Sequence, residues 1–280
     1  PIVTAKTFMP QLFKKVKLED VNFKKAIRFF IMGYFKKVVI SDNISPIVDV
    51  IFRNPENYGT SALWLANALF VIQLYGDFSG YTDMAYASGL LLGYELPENF
   101  HLPLKATSVT DFWRRWHISL STWLRDYIYF SLGGSKKGYA RHKFNLFMTM
   151  FLGGIWHGAN WTFFLWGMYM GVFLAVESIF SDLKEKYFKE SFIKYNYVIN
   201  FFGFLYGIGA VVLACALFRG EGIEKALLMM KNMLSFVAGN PRPYMIKTGF
   251  TMFVIIFIGH LIGHWIYDNK KEIKIPYWLE

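Results

Sequence analysis

Four long apolar blocks, Gly59 to Tyr75, Trp161 to Phe180, Tyr197 to Phe218 and Met245 to Tyr267, restrict what this chain can fold into more than any other feature. Each is close to the ~20 residues that a helix needs to cross a hydrocarbon core. A water-soluble fold has little use for several such blocks, so the chain is expected to be an all-α integral membrane protein. Composition agrees: 54% of the residues are hydrophobic, 20% are aromatic, and the mean hydropathy is +0.29. That is richer in apolar side chains than ordinary globular domains.

The formal charge of +10 sits in clusters between the blocks: Lys14, Lys15 and Lys17; Lys24, Lys25 and Arg28; Lys136, Lys137, Arg141 and Lys143. Basic inter-block segments mark the cytoplasmic face of membrane proteins. Without a basic recognition element they do not point to nucleic acid. The single cysteine, Cys215, lies in an apolar block and has no intramolecular disulfide partner. The chain starts at Pro1, with no signal-peptide pattern, and is expected to be the C-terminal portion of a longer protein.

The chain reads as one membrane domain, residues 1–280, without repeats or low-complexity linkers. Residues 1–58 are basic and suited to the membrane surface, 59–180 form a core, and 181–280 carry further spans. Within the core, the first span is expected to end near Tyr75. It is followed by an entry segment holding Asp77 and Asp83, which should face protein or a wet cavity. Pro97, Asn99 and Pro103 predict a loop. Thr110 and Asp111 are expected to cap a single amphipathic helix. That helix would carry Trp113, Trp116, His117, Leu120, Trp123, Leu124 and Tyr127 on its buried stripe, with Arg115, Ser119, Thr122 and Asp126 opposite. Gly133 and Gly134 stop it, and a basic loop runs to Lys143. Phe144 then opens a run reaching His157, about 20 Å further on at ~1.5 Å per residue. The architecture expected is a multi-span bundle with amphipathic or re-entrant helices around a central cavity.

His157, flanked by Gly153, Gly154 and Gly158, is the leading candidate for chemistry, because an ionisable side chain deep in a membrane protein is costly to keep without a use. Two readings fit the residue itself. One is a general base with a neutral imidazole; the other is a packing histidine bonded to a nearby carbonyl. Asp77, Asp83, Asp111 and Asp126 read best as partners of Arg114, Arg115 or Arg125. His260 and His264 have metal-ligand spacing on one helix face, but no acidic or cysteine ligand accompanies them, so hydrogen bonding between helices is expected and no metal.

Several stretches, in order, carry a more specific signal: QLYGDFSGYTDMA, PENF, TDFWRRWHISLSTWLRDYIY, LGG and GGIWHGANWTFFLWG. Together they cover most of residues 70–170 and resemble the bacterial alginate and peptidoglycan O-acetyltransferase branch of the membrane-bound O-acyltransferase family. The resemblance implies His157 as catalytic residue and His117 as the second histidine of the site. Trp156, Asn160, Trp116 and Arg115 are candidates for substrate binding. It further implies a thioester acyl donor, acetyl-CoA, with no bound cofactor. The acceptor implied is a hydroxyl of an extracytoplasmic polysaccharide, reached directly or through an extracytoplasmic partner protein, with the chain multi-pass in a bacterial inner membrane. D-alanyl transfer to teichoic acid is the alternative within the family. A transporter with histidine proton relays, or an export scaffold, is the alternative outside it.

Overall fold

A computed structural model describes residues 1–187, 196–239, 246–256 and 258–259. In chain order its helices are α1 Ala5–Leu12, α2 Phe23–Phe35, α3 Asp42–Arg53, α4 Thr60–Leu91, α5 Val109–Arg115, α6 Ile118–Leu124, α7 Tyr139–Trp156, α8 Trp161–Tyr187, α9 Asn196–Arg219, α10 Ile223–Leu234 and α11 Ile246–Ile256. Among the described residues no strand forms, and the one β-type contact is an isolated antiparallel bridge between Phe100 and Trp116. The His260 and His264 pair and most of the segment Asp182 to Lys194 lie outside the described residues. The described part of the segment continues α8.

The centre of the packing is α4, whose apolar residues run round all sides, as expected of a helix surrounded by others. It spans 32 residues without a break, so the boundary expected near Tyr75 does not exist. The entry segment with Asp77 and Asp83 is helix, and each acid has a cation beside it. Lys37 reaches Asp77 at 2.8 Å and Lys36 reaches Asp83 at 2.6 Å, both from a π-type segment, Lys36–Ser41, that joins α2 to α3. The expected arginine partners hold only for the other two acids, Asp111 with Arg115 and Asp126 with Arg125, each at 2.8 Å. Around α4 the fully buried side chains Ile44, Val48 and Ile51 of α3, Leu63 of α4, Ala216 of α9 and Met229 of α10 form one continuous core.

Two helices, over Trp161–Lys184 and Tyr197–Arg219, are long and apolar enough to cross a membrane. Protein covers only 22% of the apolar window of the first and 44% of the second. The core helix of a soluble protein would be mostly covered, so these outward apolar faces fit lipid better than water.

Helices α7 and α8 form an antiparallel pair in backbone contact. A Cβ added at Gly154 would lie 2.6 Å from Cα of Gly167, and one at Gly171 would lie 2.7 Å from the Phe147 carbonyl oxygen. Small residues permit such an approach where helices associate in lipid. Near the other end of the pair, α7 begins at Tyr139, so the basic loop expected to reach Lys143 is shorter. Lys143 is buried in the helix because Ser178, at 2.7 Å, and Asp182 receive its ammonium. Gly154→Ala is expected to force α7 and α8 apart and to cost about 1–3 kcal/mol, as overpacking generally does. Thermal unfolding in detergent checks this.

Candidate active site

The stretch expected to be one amphipathic helix is two short helices, α5 and α6, at an angle. Ser108 is the N-cap of α5, accepting from the Asp111 N–H at 3.0 Å, so the cap falls two residues before Thr110. The break comes at Trp116, which is extended, and His117, which is left-handed with φ of 44°. Periodicity could not reveal this, because the cause is a distant segment. The loop before α5 pairs with the break: His101 N–H donates to the Arg115 carbonyl at 2.9 Å, and Ile118 N–H donates to the Asn99 carbonyl at 3.0 Å. The Asn99 side chain also accepts from the Ser119 N–H and hydroxyl, at 3.1 and 2.9 Å. The break reorders the stripe, so that Ser119 is buried while Tyr127 is 58% exposed. A non-glycine residue held in the left-handed region costs on the order of 1–3 kcal/mol and persists where the surroundings enforce it, commonly at functional sites.

His157 ends α7 and opens the turn to α8. Asn160 closes that turn as a helix cap, its side-chain oxygen accepting the Thr162 N–H at 3.1 Å. The His157 imidazole is ringed by aromatic groups: Phe218 of α9 at 5.0 Å and Trp166 of α8 at 5.4 Å, both edge-on, with Trp156 at 5.2 Å. His117 meets Phe78 of α4 edge-on at 4.6 Å. Among the described residues neither imidazole hydrogen-bonds to protein. A packing histidine would be expected to show such a bond. Burial holds the His117 imidazole below its ordinary pKa, so it is neutral at physiological pH.

Although 40 residues separate them in sequence, both histidines line one cavity of about 120 Å³. Apart from the two imidazoles its walls are apolar or aromatic, including Leu74, Phe112, Trp116, Met170 and Cys215. That volume suits a few heavy atoms: an apolar cavity of ~150 Å³ takes up benzene. A second, larger cavity of about 980 Å³ lies beside it, its walls mainly apolar but carrying Arg114, Arg125, Lys184, His142 and one acid, Glu177. Its size is at the upper end of ordinary ligand sites. Trp113 belongs to the walls of both.

The residues expected to bind substrate are placed differently from one another. Trp116 is buried in the wall of the small cavity, stacked on Phe112 at 5.2 Å. Trp156 is 57% exposed, meets the His157 ring at 5.2 Å and lines neither cavity. Asn160 is occupied as a cap, and Arg115 turns to Asp111 and lines neither cavity. Sequence reasoning missed Phe78, Trp166 and Phe218, which enclose the imidazoles, and Glu177, which fixes α5. For Glu177 a signal existed: it is an acid inside an apolar block. Among the described residues no three histidine, cysteine or acidic side chains converge as a metal site.

The fold and site describe a class of helical protein with two membrane-length helices and two imidazoles facing one apolar cavity beside a larger one lined by basic side chains. Comparison with known proteins gives the class a family. The sequence profile of the membrane-bound O-acyltransferases matches residues 1–218, and the chain belongs to that family. It is similar to a probable alginate O-acetylase of Pseudomonas putida, 40% identical over 237 residues, covering 84% of this chain and 46% of the relative. A peptidoglycan O-acetyltransferase of Helicobacter pylori is 37% identical over 237 residues, covering 84% of this chain and 44% of the relative. A teichoic acid D-alanyltransferase of Bacillus subtilis is 34% identical over 137 residues, 44% of this chain and 34% of the relative. The chain thus spans less than half the length of these relatives.

Proposed function

We propose that this chain forms the catalytic portion of a multi-pass membrane O-acetyltransferase that moves an acetyl group from a cytoplasmic thioester, acetyl-CoA, to hydroxyls of an extracytoplasmic polysaccharide. The observation that carries the reading is the sharing of one small apolar cavity by His157 and His117. In the reaction, an acceptor hydroxyl oxygen attacks the thioester carbonyl carbon while an unprotonated His157 nitrogen takes the hydroxyl proton. The C–S bond then breaks, the new ester stays on the acceptor, and the imidazolium returns its proton to the departing thiolate. His117 orients the acceptor or steadies the carbonyl oxygen as negative charge develops there. Aromatic walls exclude water, which would otherwise hydrolyse the donor. The larger chamber carries Arg114 and Lys184, with Arg125 paired to Asp126 and Glu177 held by α5, and this net positive lining suits the phosphate-bearing body of the donor.

Acetyl is favoured over D-alanyl by the walls of the small cavity. An alanyl ammonium would need a carboxylate or several acceptors once removed from water, and among the described residues the lining supplies no acid. The names of the relatives support a polysaccharide or glycan acceptor, and an extracytoplasmic partner protein completing delivery belongs to the same proposal. The test uses the full-length protein in membrane vesicles, supplied in parallel with acetyl-CoA and with a D-alanyl carrier protein. Acetyl transfer to alginate or peptidoglycan fragments is expected; transfer from the D-alanyl carrier alone would reverse the assignment. Ion or solute flux without covalent transfer would favour a transporter.

A further inference from the structure

Trp113 stands where the two cavities meet. It lines the apolar chamber with the two histidines and also the basic chamber with Arg114 and Lys184. It is held by packing, edge-on to Phe112 at 5.6 Å and to Trp166 at 5.7 Å. Its indole N–H is buried with no acceptor among the described residues, although a buried indole ordinarily finds one. Trp166 in turn stands 5.4 Å from the His157 ring, so Trp113 backs the indole that forms the wall beside that imidazole.

On the acyl-transfer reading above, we infer that Trp113 is the specificity-determining partition of the site, limiting the transferred group to acetyl and keeping water in the basic chamber away from the thioester carbonyl. The donor body is too large for a space of about 120 Å³, so only its acyl end passes the indole. Each further methylene then has to be placed against Trp113 or the aromatic wall behind it. Discrimination per methylene in such pockets is typically ~10- to 200-fold. Truncating the ring opens the apolar chamber toward the basic one and gives longer chains, and water, a place.

The experiment compares full-length wild type, Trp113→Phe and Trp113→Ala in membrane vesicles. Acetyl-, propionyl- and butyryl-CoA serve as donors, and the acceptor is whichever of alginate or peptidoglycan fragments the wild type acetylates. Trp113→Ala is expected to raise the butyryl-to-acetyl ratio of kcat/KM by about tenfold or more and to increase thiol release in the absence of acceptor, with Trp113→Phe intermediate. An unchanged ratio in a variant that still transfers acetyl overturns the inference. So does complete inactivity of Trp113→Phe with the protein still folded, since a partition is not needed for the chemistry itself. Failure of the wild type to use any acyl-CoA is a different result, which removes the acyl-transfer reading and this inference with it.

Discussion

His157→Ala is expected to reduce acyl transfer by at least ~1000-fold, in the upper part of the range for losing a general base, while the full-length protein still inserts and folds, its unfolding temperature lowered only by the cost of the cavity left behind. The ring makes no hydrogen bond to protein among the described residues, so its removal breaks no network. What remains is a cavity among Trp166, Phe163 and Phe218. Added imidazole small enough to enter that space should restore part of the rate, an effect that a packing role would not produce. Transfer that survives the substitution removes His157 from the mechanism. The companion variant has to respect the backbone: His117 is left-handed, so His117→Asn, which tolerates that conformation, separates loss of the imidazole from loss of the bend. A smaller loss than for His157→Ala is expected, because an orienting group contributes less than the base.

How much of this was legible in the sequence depends on the range of the interactions involved. The two long apolar helices were readable because length and hydropathy are local properties, and their ends fall within a few residues of Trp161 and Phe218. The unbroken run of α4 was not. Asp77 and Asp83 look like a boundary until Lys37 and Lys36, about 40 residues earlier, are seen beside them. The break at His117 was hidden for the same reason: hydrogen bonds from Asn99 and His101 hold Trp116 and His117 out of a helix that periodicity alone would continue. The two histidines could be nominated from motif and burial, but that they face one cavity is a fact of the tertiary fold. Arg115 shows the converse error. It adjoins the motif histidine in sequence, yet its charge is spent on Asp111 one turn earlier.

Glu177→Ala is expected to lower the turnover rate by about two orders of magnitude, the scale of loss from an ångström-sized misplacement, through displacement of α5. Its two carboxyl oxygens accept from the Val109 N–H at 2.7 Å, the Thr110 N–H at 2.8 Å and the Thr110 hydroxyl at 2.6 Å. They occupy donors that a helix start leaves unpaired. α5 is only seven residues long and has too few internal bonds to stand alone. Glu177 therefore secures, from α8, the end opposite to Trp116 and His117, and α8 itself follows directly from the turn carrying His157. One carboxyl group thus ties the two histidine-bearing segments to a common frame. Losing it leaves three donors unpaired, at ~1–3 kcal/mol each if they stay buried, and α5 relieves that cost by shifting. Glu177→Gln keeps one acceptor oxygen and should recover part of the rate. The readout that distinguishes positioning from general destabilisation is kcat at saturating donor beside the unfolding temperature: kcat falls and Glu177→Gln restores part of it while the unfolding temperature changes little. Donor KM is not diagnostic, because Glu177, Thr110 and Arg114 all line the larger chamber. Equal loss in both variants with a lowered unfolding temperature would show that Glu177 supports only the stability of the helix packing.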